Sequence, residues 1–155
     1  MQQDAFKQKI HLADGIKLFG HLTLFIVDAA TRKVLVRTQR NLIVDGGYAA
    51  AAQSLAGVAG AAITRVRVGE STTEPQPGDT AIAAPFETVQ ITGVDYPDFA
   101  VCFNFSINAD TANGINIAEW GLITADGRLF SRLVRDEIIA KTNAIEILGA
   151  WTINL

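Results

Sequence analysis

The residue with the most obvious catalytic potential is Glu119, which lies in a stretch that alternates as a β-strand does. Apolar side chains flank it in both phases, which predicts a central strand and a partly buried carboxylate. A buried carboxylic acid could serve as the proton donor of sugar hydrolysis, but that reaction ordinarily uses a second carboxylate and none is evident. The sequence therefore favours an ion pair with Arg65, Arg67 or Arg132, which avoids the cost of an isolated buried charge.

Aromatic and basic side chains offer two further binding hypotheses. Trp120 and Trp151 could stack on sugar rings, as the aromatic platforms of carbohydrate-binding modules do, but their apolar neighbours favour burial in the core. Arg65 and Arg67 alternate with valines and could bind an anionic ligand. A solvated strand face or an intersubunit ion pair is the favoured interpretation of these two arginines.

The other reactive residue types lack the spacing that a site requires. His11 and His21 have no Cys, His or Asp spacing typical of a metal centre, and Cys102 has no sequence neighbour that would activate its thiol. Gly46 and Gly47 lie at a helix start without a P-loop or GxGxxG pattern, and no serine has a Gly-x-Ser-x-Gly context. We therefore predict no catalytic residues, no cofactor, no metal ligands and no enzymatic activity.

Composition narrows the class of protein. The 155 residues predict one domain, and 49% hydrophobic residues indicate either a well-filled core or apolar surface between subunits. A net charge of −3 lacks the basic footprint of a nucleic-acid binder, so no nucleic-acid partner is predicted. One cysteine excludes an internal disulfide. No apolar run is typical of a signal peptide or a transmembrane helix, so we expect a soluble protein without membrane insertion.

Alternation and turn residues predict seven or eight short strands and one helix. The helix is the alanine-rich segment 48–56, with Asp45 or Gly46 near its N-cap and Gly57 at its C-terminus. The segment 99–108 is the cleanest strand, with Phe99 and the next four odd-numbered residues on one apolar face. The predicted strands are 21–28, 33–40, 63–68, 87–92, 99–108, 115–124, 129–135 and 144–155.

These elements predict an all-β fold, mainly an antiparallel β-sandwich, with one short Ala-rich helix. Residues 1–20 are interpreted as an N-terminal arm or edge strand, and residues 21–155 as a single β-sandwich domain. The polar, proline-containing segment 70–80 is predicted to be an exposed loop.

Several short motifs also occur in a characteristic order. They are NLIVDGG (41–47), an alanine-rich helix, VRVGESTTEP (66–75), PGDTAI (77–82), NGINIAEWGL (113–122), ADGRLFSR (125–132), IIAKT (138–142) and WTINL (151–155). This order resembles small structural proteins and fibre-associated domains of tailed bacteriophages and phage-derived tail particles. The resemblance covers roughly residues 20–155.

The resemblance implies a noncatalytic virion protein that assembles as a symmetric homo-oligomer on a tail, baseplate or collar. Its partners would be further copies of itself and other virion structural proteins, and its location the virion, assembled in the host cytoplasm. The chain has no collagen-like or coiled-coil shaft, which favours a compact assembly component with residues 1–20 as a docking arm. The alternative is a carbohydrate-binding receptor module at a tail tip that contacts host glycans through exposed aromatic residues, and a glycosidase around Glu119 is the third hypothesis.

Overall fold

The computed structural model describes residues 17–155, which form eight strands and one helix. The arm interpretation of residues 1–20 falls largely outside this range, and Phe19 and Gly20 already belong to the first strand. The elements are β1 (Phe19–Asp28), β2 (Val34–Ile43), α1 (Asp45–Leu55), β3 (Ile63–Gly69), β4 (Pro85–Asp95), β5 (Ala100–Ile107), β6 (Asn116–Thr124), β7 (Leu129–Ala140) and β8 (Ile145–Asn154).

The strands close into an antiparallel barrel in the order β1-β2-β7-β6-β3-β4-β5-β8. The all-β prediction with one short helix is confirmed, but the prediction of a β-sandwich was wrong. Alternating inward and outward residues are common to sandwiches and barrels, so the sequence pattern does not distinguish them. The difference lies in which strands share an edge.

Two corner strands make the closure. β2 pairs with β1 along its length and then with β7 through Leu42 and Ile43. β4 pairs with β3 up to Gln90 and with β5 from Ile91 onward, and this second ladder contains a one-residue bulge between Ile91 and Gly93. Each corner strand is hydrogen-bonded to a neighbouring strand on both of its edges. The strand edges that would be free in a sandwich are therefore paired in this barrel.

Helix α1 begins earlier than predicted, and its predicted C-terminus is confirmed. Val44 occupies the N-cap without a side-chain cap, and the Asp45 carboxylate lies in the first turn, where the helix dipole favours a negative charge. Gly57 has a φ of +72° and its N–H donates to the Ser54 carbonyl at 3.1 Å. Gly57 therefore ends the helix in the left-handed conformation, which glycine adopts without strain.

The barrel interior holds the large apolar side chains. Trp120 and Trp151 are fully buried, which confirms the prediction of core tryptophans, and the Trp120 ring lies 6.0 Å from the Phe105 ring. A side chain on Gly149 would collide with the Phe105 ring, so only glycine permits this packing. The predicted core stripe on β5 holds for its later members but not for Phe99, which precedes the strand and is 79% exposed.

Candidate functional site

The barrel has two kinds of wall. In β6 every residue after the first is buried, because side chains on its outer face are covered as well as those facing the interior. A small apolar cluster lies outside the sheet on this side, where the long 70–84 loop and the start of α1 pack over β6 and β7. We call β3, β6 and β7 the covered wall. The outer cluster consists of Val44, Ile82, Ile123 and Leu129.

Glu119 lies on the outer face of the covered wall and is completely buried. Its Oε2 accepts hydrogen bonds from Arg132 Nη2 at 2.9 Å and Nε at 3.3 Å, so the predicted ion pair exists and Arg132 is the partner. Backbone N–H groups of the loop complete the shell, from Ala83 at 2.9 Å, Ala84 at 2.6 Å and Ser71 at 3.3 Å. Charged hydrogen bonds of this kind compensate the carboxylate for lost hydration.

The same network fastens the long loop to the barrel. Arg132 Nη1 donates to Asp79 Oδ2 at 3.0 Å, and Asp79 also accepts from the Gln76 N–H at 2.9 Å. A side chain on Gly69 would meet Glu119 Oε1 at 2.6 Å, so glycine permits the close approach of β3 to this carboxylate. Glu119 is thus committed to structural hydrogen bonds and lies beyond the reach of a polysaccharide.

The opposite side, formed by β2, β1, β8 and β5, has an outer face that the described residues leave uncovered. We call it the bare wall. Burial alternates along β8, where Leu148 is 47% exposed between two buried residues. Val36 of β2 is 49% exposed and lies in register with Phe25, which in turn opposes Leu148. Two uncharged rows cross this wall, Val36–Phe25–Leu148–Ser106 and Thr38–Thr23–Ala150–Asn104.

The two walls meet at a seam between β2 and β7 that opens progressively. Backbone pairing occurs only at Leu42–Arg132 and Ile43–Ser131. Further along, the Gln39 side chain bridges to the Val134 carbonyl at 2.7 Å. Closer to the start of β2, the gap between the strands is spanned by two long side chains, where Arg37 Nε donates to Glu137 Oε2 at 3.2 Å. The strands therefore diverge toward the start of β2.

A bulge in β7 accounts for the divergence. β7 takes five residues from Val134 to Ile139, while β6 takes two from Glu119 to Ile117, so three extra residues loop out of β7. An enlarged bulge bends its strand and disrupts the neighbouring ladder. Four residues, Arg135, Asp136, Glu137 and Ile138, therefore lie opposite the single β6 residue Ala118.

The opened seam contains a groove of about 870 Å³. Arg135 lines it and is only 6% exposed; its Nε donates to the Glu137 carbonyl at 3.2 Å, whereas its Nη1 is buried without a partner among the described residues. Burial lowers the pKa of the Arg135 guanidinium below its ordinary value, although the nearby Glu137 carboxylate opposes the shift. Asn41 Oδ1 is also buried without a partner among the described residues, but it lies against Gly20 of β1.

The other residues singled out in the sequence lie apart from this groove. Arg65 Nη2 donates to the carbonyls of Thr124 and Ala125 at 2.9 and 3.2 Å, and Arg67 Nε donates to the Thr88 hydroxyl at 3.3 Å. Both arginines are half-buried and join neighbouring strands.

The histidines and the cysteine do not come together. Cys102 is half-buried on β5, with its thiol 3.7 Å from Asn104 Oδ1. His21 lies on β1, in register with Arg40 and Thr152, and His11 lies outside the described residues. From residue 17 onward, no group of three or more His, Cys, Asp or Glu side chains is placed to hold a metal ion.

Sequence reasoning missed the seam and the bare wall. The signal for the seam was present in Arg135-Asp136-Glu137, three consecutive charged residues inside what proves to be a twelve-residue strand. The predicted strand 129–135 ends at Arg135, whereas the observed strand continues to Ala140. The bare wall left a weaker signal, because its rows form only when residues from four strands are placed side by side.

No protein-family model, curated protein or solved structure matches this chain. In the part of the chain that the structure describes, no helix is long and apolar enough to cross a membrane. Function is therefore inferred from the two walls, the seam and the motif order of the sequence.

Proposed function

We propose that this chain is a noncatalytic bacteriophage virion structural protein that assembles as a symmetric homo-oligomer on the tail, baseplate or collar. The single observation that supports it best is the bare wall. Val34, Val36 and Leu148 are each about half exposed, and the two rows across that wall contain no charged side chain. Contiguous exposed apolar surface on a water-soluble domain is typical of a protein–protein interface.

The covered wall supports the same proposal, because its candidate catalytic residue is occupied by structural hydrogen bonds. The acid that could have worked on a sugar, Glu119, is bound by Arg132 and by backbone N–H groups. Its role is to hold the 70–84 loop in place. The outward surface that remains available is better suited to association than to chemistry, and symmetric oligomers use one such patch on every subunit.

The test is the solution mass of the full chain by light scattering across a concentration series. We expect a stable trimer, hexamer or larger ring. In the double variant Val36→Lys/Leu148→Lys, lysines on the bare wall should abolish assembly while leaving thermal unfolding of the subunit nearly unchanged, because exposed positions tolerate substitution within about 0.5 kcal/mol.

The matched control is Gln76→Lys/Gln90→Lys, which places the same charges at exposed polar positions outside the bare wall and should leave the oligomer intact. Incorporation of each variant into phage particles provides the second measurement. A wild-type monomer at every concentration, combined with normal incorporation of Val36→Lys/Leu148→Lys, would contradict the proposal.

The carbohydrate-binding alternative has its own supporting observation, although not at the tryptophans first considered. Tyr96 and Phe99, which flank the turn between β4 and β5, are 80% and 79% exposed. Exposed aromatic rings are the usual platforms for sugars. This alternative predicts glycan-array binding that Tyr96→Ala or Phe99→Ala removes without loss of folding; an array without signal for the wild-type chain would eliminate it.

A further inference from the structure

We propose that the oligomer is a head-to-tail ring, in which the outer face of α1 on one subunit packs across the bare wall of the next subunit. The inference rests on the proposed function, because it specifies which two surfaces join neighbouring subunits. It can fail while self-assembly stands, since subunits that pair bare wall to bare wall would also associate.

A ring needs two different surfaces on each subunit. A surface that pairs with its own copy closes a two-fold dimer and leaves no matching surface for a third subunit. The bare wall, paired only with itself, would therefore give a dimer. The trimer, hexamer or larger ring expected for this chain requires a second surface that is complementary to the bare wall.

The outer face of α1 provides such a surface. Residues 46–64 contain no charged side chain, and Leu55 within them is 91% exposed. Helical periodicity places the exposed side chains on one face and the buried Gly47 and Ala50 on the other. Contiguous uncharged surface around so exposed a leucine is typical of a protein–protein contact. We call this the helix surface, and its residues are Tyr48, Ala49, Ala52, Leu55 and Val58.

The helix surface and the bare wall lie on different sides of the barrel. α1 packs against β7, where Gly47 lies so close to the Phe130 carbonyl that a side chain on this glycine would collide with it. β7 belongs to the covered wall, so a subunit that is bound through its helix surface still presents its bare wall to a further subunit. A head-to-tail contact requires this arrangement.

The two surfaces match in size and shape. The eleven residues of α1 extend about 16 Å along the helix axis. The strands of the bare wall, in the order β2-β1-β8-β5, span about 14 Å between the outer two. The small side chains of Ala49 and Ala52 allow the helix to approach the sheet closely. Packing of a helix on a sheet face is one of the standard layer arrangements in proteins.

Charge favours the same pairing. Lys33 immediately precedes β2 and Arg40 lies near its other end, and neither forms an ion pair with a described residue. Asp45 begins α1, is exposed and is likewise without an ion pair among the described residues. A head-to-tail contact adds this carboxylate to an interface bordered by basic side chains. Two bare walls face to face would instead bring together two sets of the same basic residues.

The aromatic residues of the β4–β5 turn are less suited to this contact. Tyr96 and Phe99 are strongly exposed, but they share one short turn with Asp95 and Asp98. A subunit that covered this turn would remove water from two carboxylates, which is costly. The helix surface carries no charge at its centre, so its burial avoids that cost.

The first experiment measures the solution mass of full-length variants by light scattering across a concentration series. Ala52→Lys/Leu55→Lys places lysines on the helix surface, at exposed positions where polar side chains are tolerated. We expect this variant and Val36→Lys/Leu148→Lys each to be monomeric. An equimolar mixture of the two should form a heterodimer, because one intact helix surface then meets one intact bare wall. Gln76→Lys/Gln90→Lys, the matched control, should keep the wild-type mass.

Disulfide trapping identifies the pairing directly and captures a weak junction. In a Cys102→Ser background, one chain carries Leu55→Cys, and a co-expressed chain carries either Leu148→Cys or Ala150→Cys on the bare wall. Disulfides form only when the Cα atoms approach within about 7 Å. We expect a covalent heterodimer on a non-reducing gel for at least one wall position. The control replaces the wall cysteine by Gln90→Cys, an exposed position on β4, and should give no heterodimer.

Several outcomes would overturn the head-to-tail contact. Ala52→Lys/Leu55→Lys that keeps the wild-type mass would exclude the helix surface, and the same variant as a stable dimer would show that each surface pairs with itself. Disulfides between two copies of Leu148→Cys without heterodimers, or no disulfide at either wall position, would also contradict it. In each case an oligomeric wild-type chain retains the proposed function. A wild-type monomer at every concentration would instead count against self-assembly itself.

Discussion

The covered wall and the bare wall are built from similar strands, yet they bury their residues differently. β6 is buried at eight consecutive positions, whereas β8 alternates between buried and partly exposed residues along most of its length. The difference comes from what lies outside each strand. The 70–84 loop and α1 cover the first, and no described element covers the second.

This contrast shows how one chain divides its outer surface between self-packing and association. On the covered wall, Glu119 and Arg132 fix a loop that would otherwise leave apolar β6 residues in water. On the bare wall, the outward side chains of Val36 and Leu148 remain available to another subunit. The chain's own loop and helix thus cover the outer face of one wall, and neighbouring subunits of the proposed oligomer would cover the outer face of the other.

The largest expected difference in the free energy of unfolding is between a lysine substitution on the covered wall and one on the bare wall. Ile123→Lys on the covered wall places an unpaired charge at a position that is 1% exposed, and we expect the chain to lose more than about 4 kcal/mol or fail to fold. Leu148→Lys on the bare wall should change the free energy of unfolding of the monomeric subunit by less than about 0.5 kcal/mol.

Urea unfolding followed by tryptophan fluorescence measures both values, since Trp120 and Trp151 report on the core. Equal destabilisation by the two lysines would mean that the bare wall is buried in the folded subunit. The distinction between the walls would then be lost.

An intermediate effect is expected from the two arginine ion pairs. Arg132→Met leaves Glu119 buried without its counter-charge and should cost about 3–5 kcal/mol. Arg37→Met removes an ion pair across the seam whose side chains are 39% and 66% exposed, and should cost at most about 1 kcal/mol.

Chemical denaturation of the two variants at neutral pH makes the comparison. Added salt provides a second criterion, because it screens the exposed pair and hardly affects the buried one. If Arg132→Met were as stable as Arg37→Met, the Glu119 network would not be what holds the 70–84 loop.

The sequence predicted the strands because each depends on local alternation. It also predicted that the tryptophans are core residues and that Glu119 pairs with an arginine, since a buried carboxylate surrounded by apolar residues needs a counter-charge. Barrel closure was not predictable in this way. One of its two corners depends on two residue pairs, Leu42–Arg132 and Ile43–Ser131, whose partners are about ninety positions apart in the chain.

The seam was missed for a related reason. The charged residues after Val134 indicate an end to the strand when only neighbours in sequence are considered, whereas pairing with β6 resumes at Ile139. Phe99 shows the opposite error, because its alternation with the β5 core residues continues past the point where the barrel ends. Periodicity reports the phase of a side chain but not where the sheet stops covering it.

The smallest expected effect compares one hairpin turn from each wall. Asp126, in the turn between β6 and β7, has its pKa lowered from 3.8 to about 2 by hydrogen bonds from Arg128 and Thr124. Asp28, in the turn between β1 and β2, has its pKa lowered by hydrogen bonds from Thr31. Because each pKa is lower in the folded state, each carboxylate stabilises the fold above the unfolded value, and this contribution disappears as the pH falls through the folded value.

Asp126→Asn should therefore be less stable than the wild type at pH 7, and the difference should vanish as the pH approaches 2, since Asn cannot ionise. Asp28→Asn should likewise be less stable than the wild type at pH 7, and its difference should also shrink as the pH falls. Urea midpoints at pH 7, 4 and 2.5 measure both. The Asp126 turn also donates backbone hydrogen bonds to Gly60 and Ala62, and the Asp28 turn donates one from Ala29 to Ala144, so loss of order in either turn should reach a neighbouring segment. A stability difference for Asp126→Asn that persists unchanged at pH 2.5 would show that the substitution acts through packing and not through charge.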